Sequence, residues 1–174
     1  MKYLAIAAAL AIPGAAFAVG SDDTEPPTPT ETTTQCTDGQ VWDDESEACV
    51  DPEPEESRLS PDTLYRAVRE LAYGERYDDA LRVIAAMPQD DRALTYLGFI
   101  HRKTGRIEQG AAFYAQALAL NPDNMLARSY RGQGYVAEGE VDKAAADLAA
   151  IPDQTTWAWR ALNQAIQTGA SSDY

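Results

Sequence analysis

The chain has 174 residues, and its 14 lysines and arginines stand against 28 aspartates and glutamates, so the formal net charge is −14. A strongly acidic protein repels the phosphate backbone of nucleic acids and the anionic surface of membranes, so this composition disfavours both as primary partners. Hydrophobic residues make up 45% of the chain. This length and composition suit one small domain with accessory segments.

Residues 1–18 have the pattern of a secretory signal peptide. Lys2 precedes an apolar run that ends at Ile12, Pro13 and the following glycine interrupt any helix, and a small-x-small cleavage pattern ends at Ala18. The alternative is an uncleaved membrane anchor, but a spanning helix needs about 20 apolar residues without such a break. We therefore predict cleavage, no integral membrane segment afterwards, and a bacterial periplasmic location.

Residues 19–57 hold 13 acidic residues and no lysine or arginine. The first part, residues 19–35, consists largely of threonine, proline and acids, and a segment so poor in apolar side chains is predicted to be a disordered linker. Residues 51–60 form a second acidic spacer. Most of the net charge of the protein therefore lies in this tail.

Two cysteines, Cys36 and Cys49, are the only ones in the chain. Because an exported protein meets an oxidising compartment, we predict a disulfide that closes a loop over residues 36–50. The turn dipeptide Asp38-Gly39 folds that loop back on itself. A redox pair would have Cys-x-x-Cys spacing, and a metal site would need more ligands.

The spacing of Cys36, Asp38, Gly39, Trp42 and Cys49 is similar to the second half of a peritrophin-type chitin-binding module. The resemblance covers fifteen residues, and the other cysteines of that module are absent. It implies that Trp42 stacks on a carbohydrate, and it gives an alternative function as an envelope glycan-binding protein. We favour the interpretation that Trp42 packs on the disulfide.

The remainder, residues 58–174, carries 15 acidic and 13 basic residues and is nearly neutral. A pattern of small and bulky residues repeats here with a period of about 34 residues. Its central copy comprises Leu94, Leu97, Gly98, His101, Gly105, Gly110, Tyr114, Ala117 and Pro122. The next copy has Gly132, Tyr135, Gly139, Ala144 and Leu148, but Arg128 and Arg131 replace two bulky apolar positions.

This pattern resembles the tetratricopeptide repeat (TPR), in the small exported bacterial type. The resemblance implies an all-α fold over residues 61–167, a TPR-like α-solenoid of about three helix pairs plus a C-terminal capping helix. The disordered acidic tail precedes this array, and a C-terminal tail follows it at residues 168–174. Glycines let paired helices approach closely and end helices. The predicted helices span residues 61–73, 77–87, 92–104, 107–120, 125–138, 141–151 and 155–167.

Catalysis is not indicated. His101 is the only histidine and stands at a packing position of the repeat, so no nucleophile–base arrangement and no multi-histidine metal site is favoured. The chain has no phosphate-binding loop of the Gly-x-x-x-x-Gly-Lys type. We predict a protein that is not an enzyme and needs no cofactor or metal.

In a TPR array the first helices line a concave face that binds peptides. The positions that would face a peptide are basic and aromatic here: Tyr65, Arg66, Arg69, Tyr73, Arg92, Phe99, Arg102, Lys103 and Tyr130. Such a lining suits an acidic or C-terminal peptide segment, so the resemblance implies a periplasmic interaction adaptor. Alternatively, these arginines pair with neighbouring acids. The acidic tail is itself a candidate occupant of this groove.

Overall fold

A computed structural model describes residues 25–53 and 59–170. The predicted signal peptide, its cleavage site and parts of both tails lie outside these residues. A short helix and a hairpin come first, and seven helices follow. In chain order the elements are α1 (Glu31–Thr34), β1 (Val41–Asp43), β2 (Ala48–Val50), α2 (Pro61–Tyr73), α3 (Tyr77–Ala85), α4 (Asp91–Lys103), α5 (Ile107–Leu120), α6 (Met125–Ala137), α7 (Val141–Ala149) and α8 (Trp157–Thr168).

The seven helices from α2 to α8 form a TPR-like solenoid, which confirms the all-α prediction. Helices pair as α2 with α3, α4 with α5 and α6 with α7, while α8 packs on α6 and α7. The predicted and observed helices agree in number and order, and their ends differ by two residues or fewer. The periodic pattern was sufficient for this, because helix formation depends on contacts between residues close in sequence.

The first helix of each pair begins at a side-chain cap. Ser60, Asp90 and Asn124 each accept a hydrogen bond from the backbone N–H three residues ahead, and Thr156 does the same for α8. The second helices begin without a side-chain cap, immediately after a tight turn. The first pair differs in that the non-glycine Glu75 takes the positive φ of its turn, at 58°.

Glycines allow close contacts between helices, as the repeat pattern predicted. A Cβ atom on Gly98 would lie 2.6 Å from the ring of Tyr114, and one on Gly110 would lie 2.9 Å from the carbonyl oxygen of Gly98. Gly132 has a different neighbour from the one predicted. Its contact is with Leu162 of the capping helix, at 2.6 Å, and not with the second helix of its own pair.

The Gly98–Gly110 contact gives a stability prediction. Gly110→Ala should lower the free energy of unfolding by about 2 kcal/mol, because the methyl group meets a backbone carbonyl that cannot move without separating α4 from α5. Urea denaturation followed by circular dichroism measures this. Ala112→Ser, on the exposed face of α5, is the control and should change stability by less than about 0.5 kcal/mol. Equal midpoints for the two variants would contradict the prediction.

The disulfide segment caps the other end of the solenoid. Cys36 and Cys49 are bonded, as predicted, and β1 pairs antiparallel with β2, the strand that contains Cys49. Val41 is fully buried in the main core, and Val50 packs against it. Arg82 on α3 donates to the carbonyl of Asp38 at 2.9 Å. The hairpin is therefore part of the folded domain and covers the end opposite α8.

The predicted disordered linker over residues 19–35 needs correction for the part that the structure describes. Residues 25–30, here called the strap, lead into α1, where Thr32 is 4% exposed. Glu70 on α2 accepts hydrogen bonds from the backbone N–H and the hydroxyl of Thr30, at 2.9 and 2.8 Å. These contacts with the array compensate for the conformational entropy lost on ordering, which composition alone did not reveal.

Candidate peptide-binding surface

Aromatic side chains from the first helices meet one another and extend to the capping helix. They are Tyr65, Tyr73, Tyr96, Phe99, Tyr130 and Trp157. The rings of Phe99 and Tyr130 lie 4.9 Å apart, those of Tyr73 and Phe99 are stacked at 5.9 Å, and the ring of Tyr73 lies 6.1 Å from that of Trp157. The hydroxyl oxygens of Tyr73 and Tyr130 are 2.8 Å apart. These side chains form one continuous aromatic layer.

Most of the predicted groove residues belong to this layer or lie beside it, and the structure buries five of the nine. These five, whose exposed fractions do not exceed 9%, are Tyr65, Arg69, Phe99, Arg102 and Tyr130. Arg66 is exposed, whereas Tyr73, Arg92 and Lys103 are half-buried. The open row of nine side chains expected from the repeat pattern is thus replaced by a packed layer with an accessible rim. The difference arises because aromatic residues on neighbouring helices bury one another.

Arg92 follows the alternative interpretation of the basic residues, since it pairs with neighbouring acids. Its guanidinium lies 2.7 Å from Asp62 and 3.3 Å from Asp90, and 4.8 Å from the ring centre of Tyr65. Burial lowers the pKa of Arg92, but the hydrogen bonds and charges of the two carboxylates outweigh it and the pKa is raised. Arg92 therefore links α2 to α4 and is already engaged.

Arg102 is held among apolar groups. Its guanidinium lies 5.7 Å from the ring centre of Phe99, and Gly134 makes room for its side chain, because a Cβ there would be 3.3 Å from Cδ of Arg102. Its Nε and Nη2 atoms are buried and have no hydrogen-bond partner among the described residues. The adjoining cavity is about 10 Å³, the size of one water molecule. A peptide side chain does not fit there.

Arg69 contacts the chain's own strap. Its Nη2 donates to the carbonyl oxygen of Glu25 at 2.6 Å, and the Glu25 carboxylate lies 2.8 Å from Nη2 of Arg160 on α8. Arg160 was not among the predicted site residues, because the capping helix was assigned a purely structural role. A signal was present in the sequence, since Arg160 follows Trp157 by three residues and shares its helix face.

Two cavities lie between the strap, the hairpin and α2. The first, of about 280 Å³, is lined by residues 25–28, Thr30, Arg66, Arg69 and Glu70. The second, of about 200 Å³, is lined partly by Trp42 and Arg66. Trp42 is half-buried, and its backbone N–H donates to the Thr32 hydroxyl. Glycan stacking on Trp42 stays a prediction.

His101 is placed by packing, in line with its repeat position. Its ring lies 5.1 Å from that of Phe113, and its Nδ1 accepts a hydrogen bond from Arg106. Burial, together with the charge of Arg106, lowers the pKa of His101. Within residues 25–53 and 59–170, no cluster of three or more potential metal ligands is found. No helix in the same ranges is long and apolar enough to cross a membrane.

Stacked helix pairs with small residues at their contacts and a capping helix at the end define an α-solenoid of interaction modules. The family model for the tetratricopeptide repeat matches residues 91–124, which comprise α4, α5 and the turn that follows. The chain therefore contains a tetratricopeptide repeat at residues 91–124. The search of curated proteins and that of solved structures each returned no match.

Proposed function

We propose that this protein is an exported, periplasmic adaptor whose concave rim binds an acidic peptide segment of a partner protein. TPR arrays are typically protein-interaction modules without catalysis, and the repeat match supports that role. One observation carries the acidic specificity: guanidinium groups from the first and last helices of the array converge on Glu25, where Arg160 pairs with the carboxylate and Arg69 donates to the backbone carbonyl. Arginine provides forked donors that suit a carboxylate.

Export is the part of the proposal that depends on the sequence. The disulfide between Cys36 and Cys49 is consistent with an oxidising compartment, and the predicted signal peptide leads there. The overall charge does not oppose binding of an acidic segment. Most of the net negative charge lies before Pro61, where residues 19–57 hold 13 acidic residues and no lysine or arginine. The rim carries Arg66 and Arg160, with the buried Arg69 beside them.

The location of the binding surface is tested by hydrogen exchange. Proteins that co-purify with the tagged full-length chain are identified by mass spectrometry. Each candidate is then purified and mixed with the full-length chain before hydrogen exchange is measured. We expect slower amide exchange in α2 and α8 when the partner is bound, because both helices border the rim. Slower exchange confined to the second helices α3, α5 and α7 would contradict the proposal.

The matched control changes the partner and leaves this protein intact. In the partner segment that becomes protected, aspartate and glutamate are replaced by asparagine and glutamine. Binding should weaken at least tenfold, because a hydrogen bond to a charged group contributes about 1.5–3 kcal/mol. Isothermal titration calorimetry measures the affinities, and an unchanged affinity would argue against recognition of carboxylates.

A further inference from the structure

Glu25 connects the two ends of the array. Its backbone carbonyl accepts a hydrogen bond from Arg69 on α2, the first helix of the solenoid, while its carboxylate pairs with Arg160 on α8, the last one. The strap thus lies along α2 from Thr30 to Glu25, and the carboxylate of Glu25 reaches α8. A segment that the composition identified as a linker lies on the proposed binding surface.

The bridge lies beside the aromatic contact that joins the same two helices. Tyr73 follows Arg69 by four residues, and Trp157 precedes Arg160 by three, so each aromatic residue shares a helix face with its arginine. The two rings lie 6.1 Å apart. An acidic residue at this place therefore meets one arginine through its carboxylate and another through its backbone carbonyl, at the edge of an apolar surface. This combination suits a peptide side chain together with its backbone.

The two ends of the strap are held unequally. At one end, Thr30 donates twice to the carboxylate of Glu70, which is 9% exposed. At the other end, Glu25 is held by one hydrogen bond from Arg69 to its backbone carbonyl and by an ion pair in which the Glu25 side chain is 59% exposed and Arg160 is 48% exposed. Ion pairs with that much exposure contribute about 0–1 kcal/mol. The strap is therefore expected to open at Glu25 while Thr30 stays attached.

The strap also fills its site incompletely. The cavity of about 280 Å³ lies between it and α2, next to Arg66 and Arg69. The prolines at positions 26, 27 and 29 keep the strap extended but provide no backbone N–H donors. A partner with additional donors and larger side chains can contact more of this surface than the strap does.

We propose that the strap is a competing intramolecular ligand, and that the partner is an extended, proline-containing peptide whose acidic residue replaces Glu25 between Arg69 and Arg160. This inference rests on the proposed function and adds the conformation of the ligand and the regulation of the site. A partner binds only the molecules in which the strap is open. Its apparent affinity is therefore reduced by the open fraction.

The test uses the full-length chain and one defined probe, an acetylated, fluorescently labelled peptide with the sequence of residues 25–34. Glu25→Gln in the chain removes the ion pair with Arg160 and raises the open fraction of the strap, while Arg69 can still donate to the backbone carbonyl of residue 25. Fluorescence anisotropy should show the probe binding three- to fivefold more tightly to this variant than to the wild type, the range set by an exposed ion pair of about 1 kcal/mol. Glu53→Gln, at an exposed acid, is the matched control and should leave the affinity unchanged.

Equal affinity of the probe for wild type and Glu25→Gln would overturn the competition. Absence of binding to either chain would also overturn it, but the proposed function would survive if a partner still protects α2 and α8 from exchange. Sedimentation velocity tests whether the strap of a second copy of the chain occupies the site between Arg69 and Arg160. If the wild type is a dimer and Glu25→Gln makes it a monomer, the strap of each copy binds the other copy. That result would overturn the proposal of an intramolecular contact.

Discussion

Asp147→Asn is expected to lower the free energy of unfolding by about 3 kcal/mol. The Asp147 side chain on α7 is 4% exposed, and its two oxygens accept hydrogen bonds from Arg131 at 2.6 and 2.9 Å. Arg128 lies 3.6 Å away. Removing one charge of a buried pair leaves the other uncompensated, which costs about 3–5 kcal/mol. The lower end applies here, because the Arg131 side chain is 23% exposed and water can reach it.

Urea denaturation followed by circular dichroism measures the change, provided that the slope with denaturant stays constant. Asp123→Asn is the matched control, since Asp123 is exposed in the turn before α6 and its replacement should change stability by less than about 0.5 kcal/mol. An Asp147→Asn midpoint equal to that of the control would show that the pair with Arg131 contributes little.

The second large effect concerns the disulfide. The double variant Cys36→Ala/Cys49→Ala should lower the free energy of unfolding by about 3 kcal/mol, as the chain-entropy model gives for a loop of this length. The two cysteines are 13 residues apart in sequence. Because Val41 within this loop is buried in the main core, the loss should affect the whole solenoid and not only the hairpin.

Thermal or urea unfolding of the double variant checks this expectation, and the wild-type chain treated with a reducing agent provides an independent comparison. The double variant and the reduced wild type should unfold at the same denaturant concentration, which should be lower than that of the oxidised wild type. If unfolding of α2–α8 followed by circular dichroism were unchanged, the hairpin would be an appendage. The interpretation of the disulfide segment as the N-terminal cap would then be wrong.

The arginines of the third repeat show how sequence and structure complement each other. Arg128 and Arg131 stand where the repeat pattern has bulky apolar residues. The third copy therefore matches the pattern less well than the central copy does. The structure gives the reason, because both arginines face Asp147 across the helix pair. Hydrogen bonds from Arg131 to Asp147 raise the pKa of Arg131. An ion pair therefore stands where an apolar contact was expected.

The residues of the rim likewise show what the repeat pattern did not predict about the binding surface. The sequence predicted Arg69 for the concave face, and in the structure Arg69 donates a hydrogen bond to the backbone carbonyl of Glu25 in the strap. Its counterpart Arg160 was missed because it lies in the capping helix, far from Arg69 in sequence. Phe99 and Tyr130 were expected to face a peptide, but they face each other. Which side chains remain accessible depends on the distances between helices, and the repeat pattern does not specify these.

The sequence by itself determined the helices, their pairing, the close contact of Gly98 with Gly110 and the disulfide, because each depends on residues within about one repeat of one another. Only the tertiary structure decided the packed aromatic layer, the Asp147 pair and the cap formed by the hairpin. It also showed that part of the acidic tail, residues 25–35, is ordered against α2 and α8. These features join segments that are distant in sequence, such as Glu25 and Arg160. Composition describes such a segment as a linker, whereas its order depends on the surface it meets.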